Sequence, residues 1–138
     1  MEYMYKLDKY RVTIDVRLEP GFYVFRPDSA QGKSYLAGLL NSYREYGEPV
    51  LGYTYSDFVK GIRLKDLITK DLKLIVLDRL DMYYLSTLSE DTEVIKSVLN
   101  TTIVLADIKG KKTSDNWPAG RTCVIYYESP GLVQVGRI

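Results

Sequence analysis

The sequence predicts an α/β fold, a mainly parallel sheet with flanking helices, in a single domain that spans residues 1–138. Short apolar runs alternate with longer amphipathic segments, which is the pattern of strands connected by helices. The run LKLIVLD at 72–78 has four consecutive apolar residues at its centre, which favours a parallel strand buried on both faces. With 138 residues, 46% hydrophobic and 27% charged, the chain can form one sizeable core.

A hairpin is expected near each end of the chain. Residues 10–18 alternate apolar and polar side chains, and the turn signal EPG connects them to the apolar run at 22–25. These two segments are predicted to pair. A second hairpin is predicted between 123–127 and 132–138, joined by SPG, with the last segment as an edge strand. Residues 1–9 are expected to be peripheral.

Between the hairpins, helices and strands alternate. Helices are predicted at residues 33–46, 57–69 and 82–100, and core strands at 50–55, 72–78 and 101–107. Gly47 and Pro49 end the first helix, and Gly61 weakens the second. No helix is expected between the strands at 101–107 and 123–127. Part of one sheet face is therefore expected to lack a covering helix.

The 13 tyrosines of the chain include several that could close this face or present it to a partner. The candidates are Tyr53, Tyr55, Tyr83, Tyr84, Tyr126 and Tyr127. Self-association as a homo-oligomer, or a place in a larger protein assembly, is the expectation that follows.

The central motif of the chain is FYVFRPDSAQGKS at residues 22–34. An apolar strand leads into a short polar turn, and Lys33 and Ser34 open an amphipathic segment with leucines at helical spacing. Strand, turn, Gly-Lys-Ser and helix together resemble the Walker A phosphate-binding loop of the P-loop NTPase superfamily.

The resemblance implies a nucleotide site at the start of the helix. Backbone N–H groups would surround phosphate oxygens, Lys33 would contact the outer phosphates, and the Ser34 hydroxyl would hold Mg²⁺. The nucleotide-binding residues implied are Ala30, Gln31, Gly32, Lys33, Ser34 and Tyr35. Pro27 stands where the motif has its first glycine, and Asp28 adds a negative charge. The alternative is an ordinary strand–turn–helix with a surface lysine.

Asp78 ends the apolar strand at 72–78 and resembles the aspartate of a Walker B strand. Such a carboxylate lies at the C-terminal edge of the sheet, beside the phosphate loop, and holds Mg²⁺ through water. The resemblance makes Lys33 and Asp78 the catalytic residues, and Ser34 and Asp78 the metal ligands. Asp107 ends the strand at 101–107 and loosely resembles the residue that senses the γ-phosphate in ring ATPases. Both aspartates could instead be turn residues.

Two further features bear on the choice of function. The strand at 50–55 lies in the sequence between the two motifs. If this strand is at the edge of the sheet, the strand order is the one found in the additional-strand ATPases. These enzymes usually carry a glutamate after the Walker B aspartate, whereas this chain has Arg79. Hydrolysis is therefore expected to be slow, since orienting the attacking water is part of this chemistry.

Three functions follow from the resemblance. The first is a protein that binds Mg²⁺ with ATP or GTP, with weak NTPase activity left open. The second is a degenerate P-loop module that acts through protein–protein contacts without catalysis. The third is a small phosphotransferase similar to nucleotide kinases, which carry a similar Asp-Arg pair. There, Arg79 and the basic loop at 109–121 would contact the acceptor phosphate, although that loop could also be merely solvated.

Composition excludes several other classes. The absence of histidine removes His-based acid–base chemistry and Ser-His triads. The one cysteine, Cys123, rules out an internal disulfide, fits the reducing cytoplasm and is predicted to be a packed thiol. A net charge of +1 gives no indication of nucleic-acid binding. No apolar run approaches the roughly 20 residues that a membrane span needs.

Overall fold

The structure, a computed structural model, describes residues 4–9, 12–26, 33–80, 89–108, 121–129 and 131–137. These residues form one eight-stranded sheet with four helices. The strands are β1 (Met4–Lys9), β2 (Val12–Arg17), β3 (Gly21–Phe25), β4 (Val50–Tyr53), β5 (Leu74–Leu77), β6 (Ile103–Ala106), β7 (Arg121–Ser129) and β8 (Leu132–Arg137). The helices are α1 (Lys33–Glu45), α2 (Tyr55–Val59), α3 (Leu64–Leu67) and α4 (Ser89–Val98).

The strand order is β1-β2-β8-β7-β3-β6-β5-β4. Strands β7, β3, β6, β5 and β4 are parallel to their neighbours within that group, and β2 is parallel to β8. The pairs β1–β2 and β7–β8 are antiparallel. The predicted fold class is therefore wrong. The sheet is mixed, its described helices are few, and two of them have only five and four residues.

The error lies in how the strands pair. The predicted hairpin of β2 with β3 does not form, because β2 lies between β1 and β8 while β3 lies between β7 and β6. The C-terminal hairpin of β7 and β8 is confirmed, but β8 is an interior strand and not an edge. A two-residue period identifies the buried face of a strand without identifying its neighbours, so it describes an edge and an interior strand equally well.

The segment at 1–9 also differs from the prediction, because residues 4–9 form strand β1 at one edge of the sheet. Leu7 is buried and Tyr5 packs beside the same core, whereas Lys6 and Asp8 are exposed. This short alternation is typical of a strand with one buried face. At the opposite edge lies β4, the strand that intervenes between the two sequence motifs.

The core has one layer on each face of the sheet. Helix α1 buries Leu36, Ala37 and Leu40 in the first layer, and α4 buries Ile95 and Val98 in the second. Along the central strands, alternate side chains enter the two layers, as expected for strands buried on both faces. Leu74, Val76, Ile103 and Leu105 belong to the α1 layer, and Ile75, Leu77, Val104 and Ala106 to the α4 layer.

The helix predicted at 57–69 is divided into α2 and α3. Gly61 adopts φ +80°, a left-handed conformation that a continuous helix does not allow and that glycine adopts readily. Helix α2 begins with a capping box, in which the Thr54 hydroxyl accepts from the Asp57 N–H at 3.3 Å and the Asp57 carboxylate accepts from the Thr54 N–H at 2.9 Å. Of the helix predicted at 82–100, residues 82–88 lie outside the described residues.

Candidate functional site

Two buried aspartates lie at the C-terminal ends of two neighbouring parallel strands. Asp78 comes directly after β5 and is 8% exposed, and Asp107 comes directly after β6 and is 3% exposed. The last paired residues of these strands are Leu77 and Ala106, which belong to the α4 layer. Because side chains alternate along a strand, the two following aspartates lie on the α1 face.

The first two residues of α1 bind these aspartates. The Ser34 hydroxyl donates to Oδ1 of Asp78 at 3.0 Å, and Nζ of Lys33 donates to Oδ1 of Asp107 at 3.3 Å. The ion pair is well enclosed, with side-chain exposures of 12% for Lys33 and 5% for Asp107. Lys33, Ser34 and Asp78, three of the residues predicted for the site, therefore lie together, and Asp107 lies with them.

Gly52 on β4 allows α1 to approach the sheet closely enough for these contacts. A Cβ atom at position 52 would lie 1.9 Å from the carbonyl oxygen of Ala37, in the middle of α1. Only glycine fits where backbone approaches backbone this closely. The sequence analysis did not single out Gly52, although a lone glycine inside the apolar strand VLGY is a recognised signal of close approach.

The Lys33 ammonium group also has an apolar neighbour. Its Nζ lies 5.9 Å from the centroid of the Phe25 ring, at the end of β3.

The Cys123 thiol is fully buried, and this burial raises its pKa to about 12, with the Lys33 charge acting in the opposite direction. The prediction that Cys123 is a packed thiol is therefore confirmed.

The turn after Asp78 has an unusual backbone conformation. Arg79 adopts φ +52°, the only non-glycine residue in the described part of the chain with a positive φ. The next N–H, that of Leu80, donates to the Asp107 carbonyl at 2.8 Å and so ties the two aspartate-bearing turns together. A bulky residue in this region costs free energy and persists only where surrounding contacts require it, often at functional sites.

The remaining residues predicted for the site are Ala30, Gln31, Gly32 and Tyr35. Ala30, Gln31 and Gly32 lie outside the described residues, as do Pro27 and Asp28. Tyr35 is the third residue of α1, and its side chain is 54% exposed.

The basic loop at 109–121 is described only at its last residue, Arg121. That guanidinium lies 3.8 Å from the Glu19 carboxylate and 4.8 Å from the centroid of the Tyr23 ring. Arg121 is the first residue of β7 and is exposed, and these two groups lie beside it.

Ser34 and Asp78 supply the oxygens in this part of the described chain that could hold a magnesium ion. Within the described ranges, no group of three or more Cys, Asp or Glu side chains could hold a metal ion. Mg²⁺ usually takes only one or two carboxylates and completes its octahedron with phosphate oxygens and water.

A cavity of about 430 Å³ lies elsewhere, between the C-terminal half of α1 and the α2–α3 segment. Its lining residues are Asn41, Arg44, Glu45, Asp57, Ile62 and Leu67. Arg44 is eleven residues beyond Lys33, roughly 16 Å along a helix. None of the four site residues lines this cavity, so it is separate from the candidate site.

No family model matches this chain, and comparisons with curated proteins and with solved structures gave no match either. In the parts of the chain that the structure describes, no helix has both the length and the apolar character needed to cross a membrane. Function is therefore inferred from the geometry around Lys33 and the two aspartates.

Proposed function

We propose that this chain binds Mg²⁺ together with ATP or GTP at the start of α1. The observation that carries the proposal is the convergence of Lys33 and Ser34 on Asp107 and Asp78. A lysine and a hydroxyl that open a helix, beside a carboxylate that ends a buried parallel strand, are the groups that phosphate and magnesium need.

The order of the central strands is a second support. Strand β4 stands at the edge of the sheet, and β6 lies between β5 and β3. This is the placement that the resemblance to the additional-strand ATPases requires of the strand between the two motifs. The proposal concerns this local arrangement and does not require the whole sheet to be parallel.

Each group has a defined role in binding. The first N–H groups of α1 have no acceptor within the helix, and the helix dipole favours an anion at this end. Lys33 contributes a positive charge to the outer phosphates, and Ser34 and Asp78 hold the ion, Asp78 directly or through water. Bound Mg²⁺ neutralises phosphate charge. We propose slow hydrolysis, because Arg79 stands where a water-orienting glutamate is usual.

One feature favours the alternative, a module that acts through protein contacts and binds no nucleotide. Lys33 and Ser34 already have protein partners in the structure, so the site is satisfied without a ligand. The two functions differ in a measurable way, because only the first predicts saturable binding that depends on the Lys33 ammonium group.

Titration calorimetry with Mg-ATP and Mg-GTP tests the proposal. We expect micromolar binding by the wild-type chain and none by Lys33→Ala. Lys65→Ala is the matched control, since Lys65 lies on α3 and pairs with Glu90. A nucleotide at 100 times its Kd should also stabilise the fold by about 2.7 kcal/mol. Absence of binding at millimolar nucleotide, or equal binding by Lys33→Ala, would contradict the proposal and leave the protein-contact function.

Assembly and location remain predictions from the sequence. Among the tyrosines expected at an open face, Tyr53 is buried and donates its hydroxyl to the Ile62 carbonyl at 2.5 Å, whereas Tyr55 is 40% exposed. The side chains at positions 83, 84, 126 and 127 lie outside the description. Sedimentation velocity at high protein concentration should show a species larger than a monomer. We also propose a cytoplasmic location, since the one cysteine is a buried free thiol.

A further inference from the structure

We infer that Asp107 holds Lys33 away from phosphate in the absence of a divalent cation, so that nucleotide binding requires the cation to arrive as well. This inference rests on the proposed function and concerns how the same site is regulated. It begins from the Lys33–Asp107 ion pair, which the binding roles of Lys33, Ser34 and Asp78 do not explain.

The ion pair is buried, and this makes it costly to break. The carboxylate of Asp107 is only 5% exposed, and Nζ of Lys33 lies 3.3 Å from it. Removing one member of a buried pair leaves the other charge without compensation in a medium of low polarity. If a phosphate draws the Lys33 ammonium group away from Asp107, the Asp107 carboxylate becomes a buried charge without compensation. If Lys33 instead contacts both groups, the phosphate lies beside a carboxylate and the two negative charges repel.

The charges at the site indicate what would relieve the repulsion between the phosphate and Asp107. An incoming phosphate would meet two carboxylates here, Asp78 and Asp107, and Asp107 is the one that Lys33 compensates. Strands β5 and β6 are neighbours, and their backbones are about 4.8 Å apart. A divalent cation at Ser34 and Asp78 would therefore lie next to Asp107. The cation would balance the charge of Asp107 in place of Lys33, and Lys33 could then contact the phosphate.

Nucleotide titrations with and without the cation test the inference. The chain is titrated with ATP and GTP in excess MgCl₂ and in excess EDTA. For the wild type we expect affinity at least about tenfold weaker in EDTA, within the usual range of coupling between two sites. For Asp107→Asn, whose amide oxygen still accepts from Lys33, we expect the EDTA affinity to rise toward the Mg²⁺ value.

The matched control is Glu90→Gln, which removes one negative charge from the exposed pair with Lys65. It should keep the wild-type dependence on Mg²⁺. Thermal melting of each variant shows whether the fold is intact.

A second measurement uses the wild-type chain and no nucleotide. Acylation of Lys33 by an amine-reactive ester, followed by mass spectrometry, should accelerate at least about twofold in MgCl₂ compared with KCl of equal ionic strength, because a less well-held ammonium group reacts more readily. Acylation of Lys65 should change little. This test remains available if Asp107→Asn does not fold.

Two results would overturn the inference. If the wild type binds Mg-nucleotide through Lys33 but Asp107→Asn keeps the full Mg²⁺ dependence, Asp107 has no such role and the proposed function stands. Equal acylation of Lys33 in the two salts leads to the same conclusion. If the wild type binds no nucleotide even with Mg²⁺, the proposed function fails, and this inference fails with it.

Discussion

Replacing Gly52 by alanine should displace α1 from its position on the sheet. The added Cβ would lie 1.9 Å from the Ala37 carbonyl oxygen, 2.7 Å from its carbon and 2.9 Å from its Cα. Ordinary contact begins near 3.4 Å, so the two backbones must separate by about 1.5 Å. No side-chain rotation can relieve the clash, because all three atoms belong to the helix backbone.

The stability cost follows from this displacement. Overpacking a well-packed core costs about 1–3 kcal/mol, and we expect the upper end here because a whole helix must move. A loss of about 3 kcal/mol lowers Tm by roughly 10 °C in a chain of this size. The same movement would lengthen the 3.0 Å contact between Ser34 and Asp78 beyond hydrogen-bonding distance. Nucleotide affinity should therefore fall together with stability.

Urea denaturation of Gly52→Ala beside Gly38→Ala provides the assay. Gly38 lies on α1 as well, but a Cβ there meets no atom within 4 Å, and it is exposed. Alanine at an exposed helix position is more favourable than glycine by up to about 1 kcal/mol. The two substitutions should thus shift the midpoint in opposite directions. A Gly52→Ala midpoint equal to that of the wild type would refute the close packing of α1 on β4.

Three further predictions concern other parts of the structure. Arg79 has a left-handed backbone conformation, which asparagine adopts more readily than valine. The variant Arg79→Asn should therefore be more stable than Arg79→Val by about 1 kcal/mol, as urea midpoints would show. Asp91 is 5% exposed and accepts from Arg63 at 3.1 Å, so Asp91→Ala should cost about 2 kcal/mol in the same assay, and clearly more than the exposed Glu90→Ala. Burial raises the pKa of Cys123 from 9.0 to about 12. Between these two pH values the thiol keeps its proton in the folded state and loses it in the unfolded state. Stability should then fall as pH rises above about 9, more steeply than in Cys123→Ala.

Each of these predictions has a result that contradicts it. Equal stability of the two Arg79 variants would mean that the turn does not require a left-handed residue. Equal losses in Asp91→Ala and Glu90→Ala would mean that burial adds nothing to the Asp91 contacts. Rapid labelling of the native Cys123 thiol by a disulfide reagent at pH 8 would show that it is accessible and ionised.

Much of the candidate site was predictable from local sequence. Gly-Lys-Ser after an apolar strand locates the start of a helix, and an apolar run that ends in Asp78 locates the end of a buried strand. That Asp78 and Asp107 lie on one face of the sheet follows from the observed register, in which Leu77 of β5 pairs with Ala106 of β6. The sequence does not predict that Lys33 binds Asp107, because the two residues are 74 positions apart and only the order of the strands brings them together.

The fold class could not be obtained in the same way. Most strands were predicted near their observed positions because apolar periodicity depends on neighbouring residues, and strand formation can be inferred locally. Pairing depends on residues distant in the sequence. Strand β8 shows this clearly, since it was predicted as an edge strand from its alternating pattern, yet β2 and β7 lie on either side of it. The mixed character of the sheet follows from that one insertion together with β1.

By itself, the sequence located most of the strands and helices, and it showed that lysine, serine and aspartate side chains lie at the ends of those segments. Only the tertiary structure decided the strand order, the depth at which α1 packs on Gly52, and the pairing of Lys33 with Asp107. The physical reason is that periodicity and turn chemistry act over a few residues. Strand neighbours and the burial of charge depend on how the whole chain shares one core.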